Sequence, residues 1–309
     1  MVNIDPVDSV QLEKAAVVAL LRQPKVRWSD VATDILECGS ARRALESRMG
    51  VADALFQVGN LDEVLGEAAS DVAAWEAEGI GVHAFFEDSY PAQLRDIHQL
   101  PPILFTRGSL TDDRRSIAVV GTRKATQRGI EIAKTVATTL AKNNVTVVSG
   151  LASGIDTAAH EAALSAGGRT VSVIGTGIRR SYPAENKSLQ ETICREGLVI
   201  SQFWPDAPPT KQSFPMRNAV MSGYAAATVV IEAPWKSGAR IQARLALQHG
   251  RPVVMPDDLL QHDWAREYAT YPGVYVVKDP AELLARVDKL IAEADPDLER
   301  LQELARLAI

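Results

Sequence analysis

The sequence predicts a doubly wound α/β fold, a mainly parallel sheet with helices on both faces, preceded by a small all-helical domain. Two observations carry this expectation. From residue 116 onward, short apolar runs alternate with stretches of helical periodicity, as expected of strands buried on both faces and joined by crossover helices. Residues 9–80 instead read as a series of short helices. The expected organisation is therefore a helical domain over 1–80 and a ligand-binding α/β domain over 81–309 that ends in a helix.

The elements follow in order. SVQLEKAAVVALLRQ carries apolar residues at helical spacing, and WSDVATDILEC reads as a helix capped by Ser29. SARRALESR and NLDEVLGEAASDVAAWEAEG continue in the same style to about Gly79. The Pro-bearing stretch after it holds two short extended runs, VHAFF and PILFTRG. Strands are then expected over 116–121, 145–150, 169–175, 197–203, 227–233, 251–256 and 273–278. Helices are expected over about 127–143, 155–166 and 186–196, then at FPMRNAVMSGY, ARIQARLALQHG and PAELLARVDKLIAEA. No period of 20–50 residues repeats, which sets solenoids aside.

Composition narrows the class. The 309 residues are 46% hydrophobic, enough for a sizeable core, and no apolar run approaches the length of a membrane span. No basic region precedes an apolar stretch at the N-terminus, which points away from a secretory signal and toward a cytoplasmic protein. Cys38 and Cys194 are too few for a disulfide scaffold or a cysteine-built metal site. The net charge of −6 argues against a protein coated in positive charge, yet it leaves room for one local basic groove.

In an open parallel sheet, ligands bind where strands turn into helices at their carboxyl ends. The first such turn, VVGTRKATQRG, offers Gly121 for close approach, the Thr122 hydroxyl, and Arg123 with Lys124 beside a helix start. In the second, Gly150 and Gly154 bracket a loop with hydroxyls from Ser149 and Ser153, and Asp156 opens the next helix. His160 reads as a structural histidine rather than a catalytic one. The third turn has Gly175 and Gly177, Arg179 with Arg180, and Tyr182-Pro183 leading into a helix capped near Asn186.

The fourth is a long Pro-rich loop with Lys211, Phe214, Arg217 and Asn218, an aromatic beside cations, which suits base stacking with phosphate binding. The fifth has Lys236, a helix start at Ser237-Gly238, and Arg240 with Arg244 at i,i+4. From Pro205 to Arg251, six Lys or Arg stand against two acids, so this segment is basic within an acidic chain. Each turn also has a plain structural reading, but five in succession point to an extended anionic ligand across the top of a Rossmann-like sheet. No GxGxxG with a following acidic residue occurs, so no dinucleotide or other cofactor is expected.

SYPAQLRDIHQLPPILFTRGSL, VVGTRKATQRG, VVSGLASGIDTAAHEAAL, VIGTGIRRSYPAEN, FPMRN, VVIEA with SGARIQA, and GRPVVMP occur in this order over about 85–256. Together these stretches resemble the DprA family of bacterial DNA-processing proteins, also called Smf. The resemblance implies an extended Rossmann fold and a non-enzymatic, dimeric protein. Such a protein binds single-stranded DNA in a basic pocket and loads the RecA recombinase during natural transformation. The family's GTR arginine falls on Arg123, its K-x-x-F pair on Lys211 and Phe214, and its FPxRN motif on Arg217 and Asn218. The chain departs from the usual pattern at Gln202, Ala219, Gln242 and Asp257. These departures keep a nucleotide-signal sensor of the same fold, such as one in phage defence, in view as an alternative. A nucleoside-monophosphate N-glycosidase would need a PGGxGTxxE signature, which is absent, with Glu232 the carboxylate at a comparable strand end.

Overall fold

The computed structural model describes residues 6–56 and 60–294. Four helices come first: α1 (Pro6–Arg22), α2 (Trp28–Cys38), α3 (Ala41–Phe56) and α4 (Leu61–Ala77). Helix α1 is buried almost all round along Ala15–Leu21, as the core of a small bundle must be. Asn60 caps α4, its Oδ1 accepting from the Asp62 N–H at 3.2 Å. Ser29 does not cap α2: the helix starts at Trp28 with Arg27 before it, so Ser29 is already inside the first turn. Its hydroxyl donates to Asp30 Oδ1 at 2.8 Å instead.

Nine strands form one sheet in the order β1-β2-β6-β5-β4-β3-β7-β8-β9. Strands β1 (Gly81–Ala84) and β2 (Ile103–Gly108) are the two early extended runs. They form an antiparallel pair added to the edge at β6. Strands β3 (Ser116–Val120), β4 (Thr146–Ser149), β5 (Thr170–Val173), β6 (Leu198–Ser201), β7 (Ala227–Val230), β8 (Val253–Pro256) and β9 (Val274–Val277) are mutually parallel. Each begins and ends within the expected runs.

Strand period two sorts the side chains of β3 between two cores. Ile117 and Val119 face helices α5 (Gln127–Lys142), α6 (Ile155–Ser165) and α11 (Pro280–Ala294). Ala118 and Val120 face α8 (Ser213–Tyr224), α9 (Gly238–Gln248) and α10 (Asp263–Tyr268). Helix α7 (Lys187–Glu196) packs on this second side through Ile193. The same core continues into the N-terminal helices, where Trp75 meets Phe105 edge-on at 5.2 Å. The buried Lys14 ammonium on α1 reaches Glu76 at 3.0 Å and Glu87 at 3.1 Å, tying the helices to the turn after β1.

The chain winds from β3 outward to β6, returns to place β7 against the other side of β3, and continues to β9. Helices α5 and α9 leave β3 and β7 toward opposite faces of the sheet, so a crevice opens between these two strand ends.

Candidate functional site

A cavity of about 460 Å³ occupies this switch point. The turn after β3 lines it with Gly121, Thr122, Arg123 and Lys124, and α8 with Phe214, Arg217, Asn218 and Met221. The turn after β7 contributes Lys236, Ser237 and Gly238, with Asp156 of α6 and Gln242 of α9 deeper in. A side lobe of about 60 Å³ shares Arg123, Phe214 and Arg217 and is bounded by Gly150, Ser153, Gly175 and Tyr182. Two glycines make the floor possible. A Cβ on Gly150 would run into the Arg217 guanidinium, and one on Gly175 would lie 2.9 Å from the Phe214 ring.

The floor is a buried ion pair. Arg217 Nη1 lies 3.9 Å from Asp156 Oδ2, with side chains 6% and 7% exposed, and donates to the Val173 carbonyl at 3.2 Å. Burial pushes the Asp156 carboxyl above the usual carboxylate range, against the pull of Arg217. Burial also lowers the Arg217 guanidinium, against the pull of Asp156. The Arg217 Nε has no hydrogen-bond partner among the described residues. Above the floor, the Arg123 guanidinium lies 4.8 Å from the Phe214 ring centroid, and Tyr182 approaches that ring at 5.5 Å. The opposite wall is the start of α9, where the Ser237 hydroxyl accepts from the Ala239 N–H at 3.2 Å and Lys236 stands exposed.

Several expected groups have other work. The start of α5 is not an open anion site, because Glu232 occupies it: its Oε2 accepts from the Thr126 N–H at 3.0 Å and hydroxyl at 2.9 Å. Ser149 donates to the Val119 carbonyl at 2.7 Å inside the sheet. Asn186 does not cap α7; its amide donates to the Leu151 carbonyl and Thr157 hydroxyl, joining the second and third turns. His160 is fully buried against the Thr170 hydroxyl at 2.7 Å, and burial lowers its pKa to about 3.

Gly154, Gly177, Lys211 and Arg240 do not line the cavity. Gly154, at φ +85°, packs beneath it against the Thr122–Arg123 backbone, and Gly177 packs on the Trp204–Pro205 backbone. Lys211 is exposed, three residues before Phe214. Arg240 covers the Trp235 ring with its guanidinium 3.7 Å from the centroid, and Arg244 is exposed. Arg251 lies at the amino end of β8, where it donates to the Gln93 carbonyl at 3.2 Å, so the basic segment is divided between the two ends of the sheet.

Two features were not anticipated. Asp156 partners Arg217 from a distant turn, a pairing with no signal in local spacing. Gln242 is buried where its amide, suitably oriented, donates to the Asn218 carbonyl (2.9 Å) and accepts from the Ser222 N–H (3.2 Å), fastening α9 to α8.

Fold and site together define a Rossmann-like α/β domain with cations and an aromatic gathered around a crevice at the switch point of a parallel sheet. The model for the family described as DNA recombination-mediator protein A matches residues 81–295, and the chain belongs to that family. DNA processing protein DprA of Streptococcus pneumoniae is 40% identical over 179 residues, 57% of this chain and 63% of that protein. DprA of Bacillus subtilis is 33% identical over 235 residues, 75% of each chain. The match thus spans just under two thirds of the S. pneumoniae protein. The crystal structure of S. pneumoniae DprA superposes with a TM-score of 0.64 at 30% identity, covering 91% of this chain and 98% of that one. A structure of Helicobacter pylori DNA processing protein A, described for its single-stranded DNA binding mode, gives 0.60 at 27% identity over 69% of this chain and 96% of that one. Among the described residues, no helix is long and apolar enough to cross a membrane.

Proposed function

We propose that this chain binds single-stranded DNA in the switch-point crevice. As a homodimer without catalytic activity of its own, it helps place a RecA-type recombinase on that DNA. The observation that carries the reading is the Arg123 guanidinium stacked at 4.8 Å on Phe214, above the buried Arg217. An aromatic face takes an unpaired base of any identity once the guanidinium resting on it turns to the adjoining phosphate. Lys124, Lys236 and the Gly238 amide at the start of α9 supply further anion contacts, and Lys211 adds an exposed cation to the loop that carries Phe214. A base paired inside a duplex cannot offer its face to Phe214, so the site favours single strands. The family assignment and the binding mode described for the H. pylori relative support the same ligand. The hydrogen bonds that Glu232 accepts from Thr126 argue against a glycosidase carboxylate at this strand end.

Fluorescence anisotropy with labelled oligonucleotides over a salt series tests this. The wild type is expected to prefer single strands and to weaken as salt rises, because phosphate contacts release counterions. Arg123→Ala should weaken binding about tenfold and reduce the slope of log affinity against log salt by about 1. Identical isotherms for variant and wild type would remove the site. Binding of mononucleotides with indifference to oligonucleotides would mark a nucleotide sensor, and release of a nucleobase from a monophosphate would mark an enzyme. Recombinase nucleation on protein-coated single strands, measured with and without this chain, tests the mediator role.

A further inference from the structure

Trp235 stands beside the crevice without a part in the site described so far. Its chain neighbours Pro234 and Lys236 both line the cavity. Trp235 does not itself line the cavity, but consecutive Cα atoms are about 3.8 Å apart, so its backbone stands at the rim. It is 58% exposed, whereas Trp75 and Trp264 are buried and Trp28 and Trp204 pack on the core. A single exposed apolar side chain is common and by itself signals nothing. This one is held in place. The Arg240 guanidinium lies 3.7 Å from the ring centroid and donates through Nη1 to the Trp235 carbonyl at 3.3 Å. One face of the indole is therefore covered by a cation that is anchored to the same residue, while the residue as a whole stays exposed.

We infer that Trp235 is a second base-stacking platform, taking a nucleotide several positions along the strand from the one on Phe214. The inference rests on the single-stranded DNA reading of the crevice. Phe214 packs on Gly175, just past the end of β5, and Trp235 follows β7. Strands β5, β4, β3 and β7 are successive neighbours in the sheet. At about 4.8 Å per strand the ends of β5 and β7, near which the two aromatics stand, are roughly 14 Å apart. That is the reach of about four stacked nucleotides, or fewer extended ones. Lys236 and the start of α9 line the same cavity as Phe214, where they would meet phosphates between the two bases. Arg240, outside the cavity, then acts through the indole: its charge adds cation–π attraction and holds the ring ready for a base.

The test uses the full chain with labelled oligothymidylates of about 4 to about 16 nucleotides. Trp235→Ala is expected to weaken binding of the longer strands about tenfold while leaving the shortest little changed, with an unaltered melting temperature. DNA should quench the tryptophan emission of the wild type, and Trp235→Phe should bind while losing that quenching. If Arg123→Ala weakens binding but Trp235→Ala does not at any length, the crevice stands and the platform falls. Undiminished quenching in Trp235→Phe also overturns the platform. If the wild type binds no oligonucleotide, both readings fall together.

Discussion

Arg217 and Asp156 show how much of this site depends on single buried charges. Each is removed from water, and at 3.9 Å each only partly offsets the other's loss of solvation. Removing one partner leaves the other charged and alone in the interior. Arg217→Ala is therefore expected to lower folding stability by about 3–5 kcal/mol, measured by urea denaturation. A loss below 1 kcal/mol would mean that Asp156 takes up a proton or meets water instead. At this scale the sequence was readable where chemistry is local. Phe214 among Lys211, Arg217 and Asn218 announced an aromatic among cations. It was silent on burial, because an arginine on the floor, Arg217, and one at the far end of the sheet, Arg251, look alike as letters.

Among the elements, the loop between β6 and α8 links the helical segment to the site. Its Trp204 meets Trp28 edge-on at 5.1 Å, lies 5.9 Å from both Trp75 and Phe105, and is covered by the Arg22 guanidinium at 5.3 Å. Arg179, in the turn after β5, binds Glu78 at the end of α4 and Asp206 in this loop, and Arg180 donates to the Asp206 carbonyl at 2.6 Å. The loop that delivers Phe214 is thus fastened at Trp204 to helices remote in sequence. Trp204→Ala should cost about 3 kcal/mol of stability. It should also weaken oligonucleotide binding well below the melting temperature, since Phe214 loses its approach to Arg123. Thermal melts paired with anisotropy at low temperature separate the two effects, and intact binding in the folded variant would show that the loop is positioned without this clasp. Arg179→Ala should cost under about 1 kcal/mol, as exposed ion pairs do.

For the molecule as a whole, three buried or half-buried histidines weaken the fold toward acid. Burial lowers the pKa of His160 to about 3 and those of His83 and His249 to about 4, with Lys14 assisting at His83 and His98 at His249. In the unfolded chain each takes up a proton near pH 6.5. The unfolded state therefore binds more protons throughout the interval below that value. Stability is full above pH 6.5 and is lost as the pH falls toward 4, and toward 3 for His160. Urea midpoints at pH 7.5, 6 and 5 should decline in that order, and a flat series would show that these rings are solvated. The net charge of −6 would repel DNA at long range, so the proposed binding rests on the local cations.

Alternation of strand and helix was legible because the hydrophobic period is a property of neighbouring residues, and so were the loops at the strand ends. The order of strands was not. The β3–β7 adjacency joins residues more than a hundred positions apart, and only that adjacency brings the turn at Gly121 opposite Ser237 to make a crevice. The same holds for Glu232 at the start of α5, for Asp156 beneath Arg217 and for Arg240 on Trp235. Residue types at a turn state which interactions are possible, and packing across the sheet selects which of them are made, because burial and long-range contact have no local period to be read.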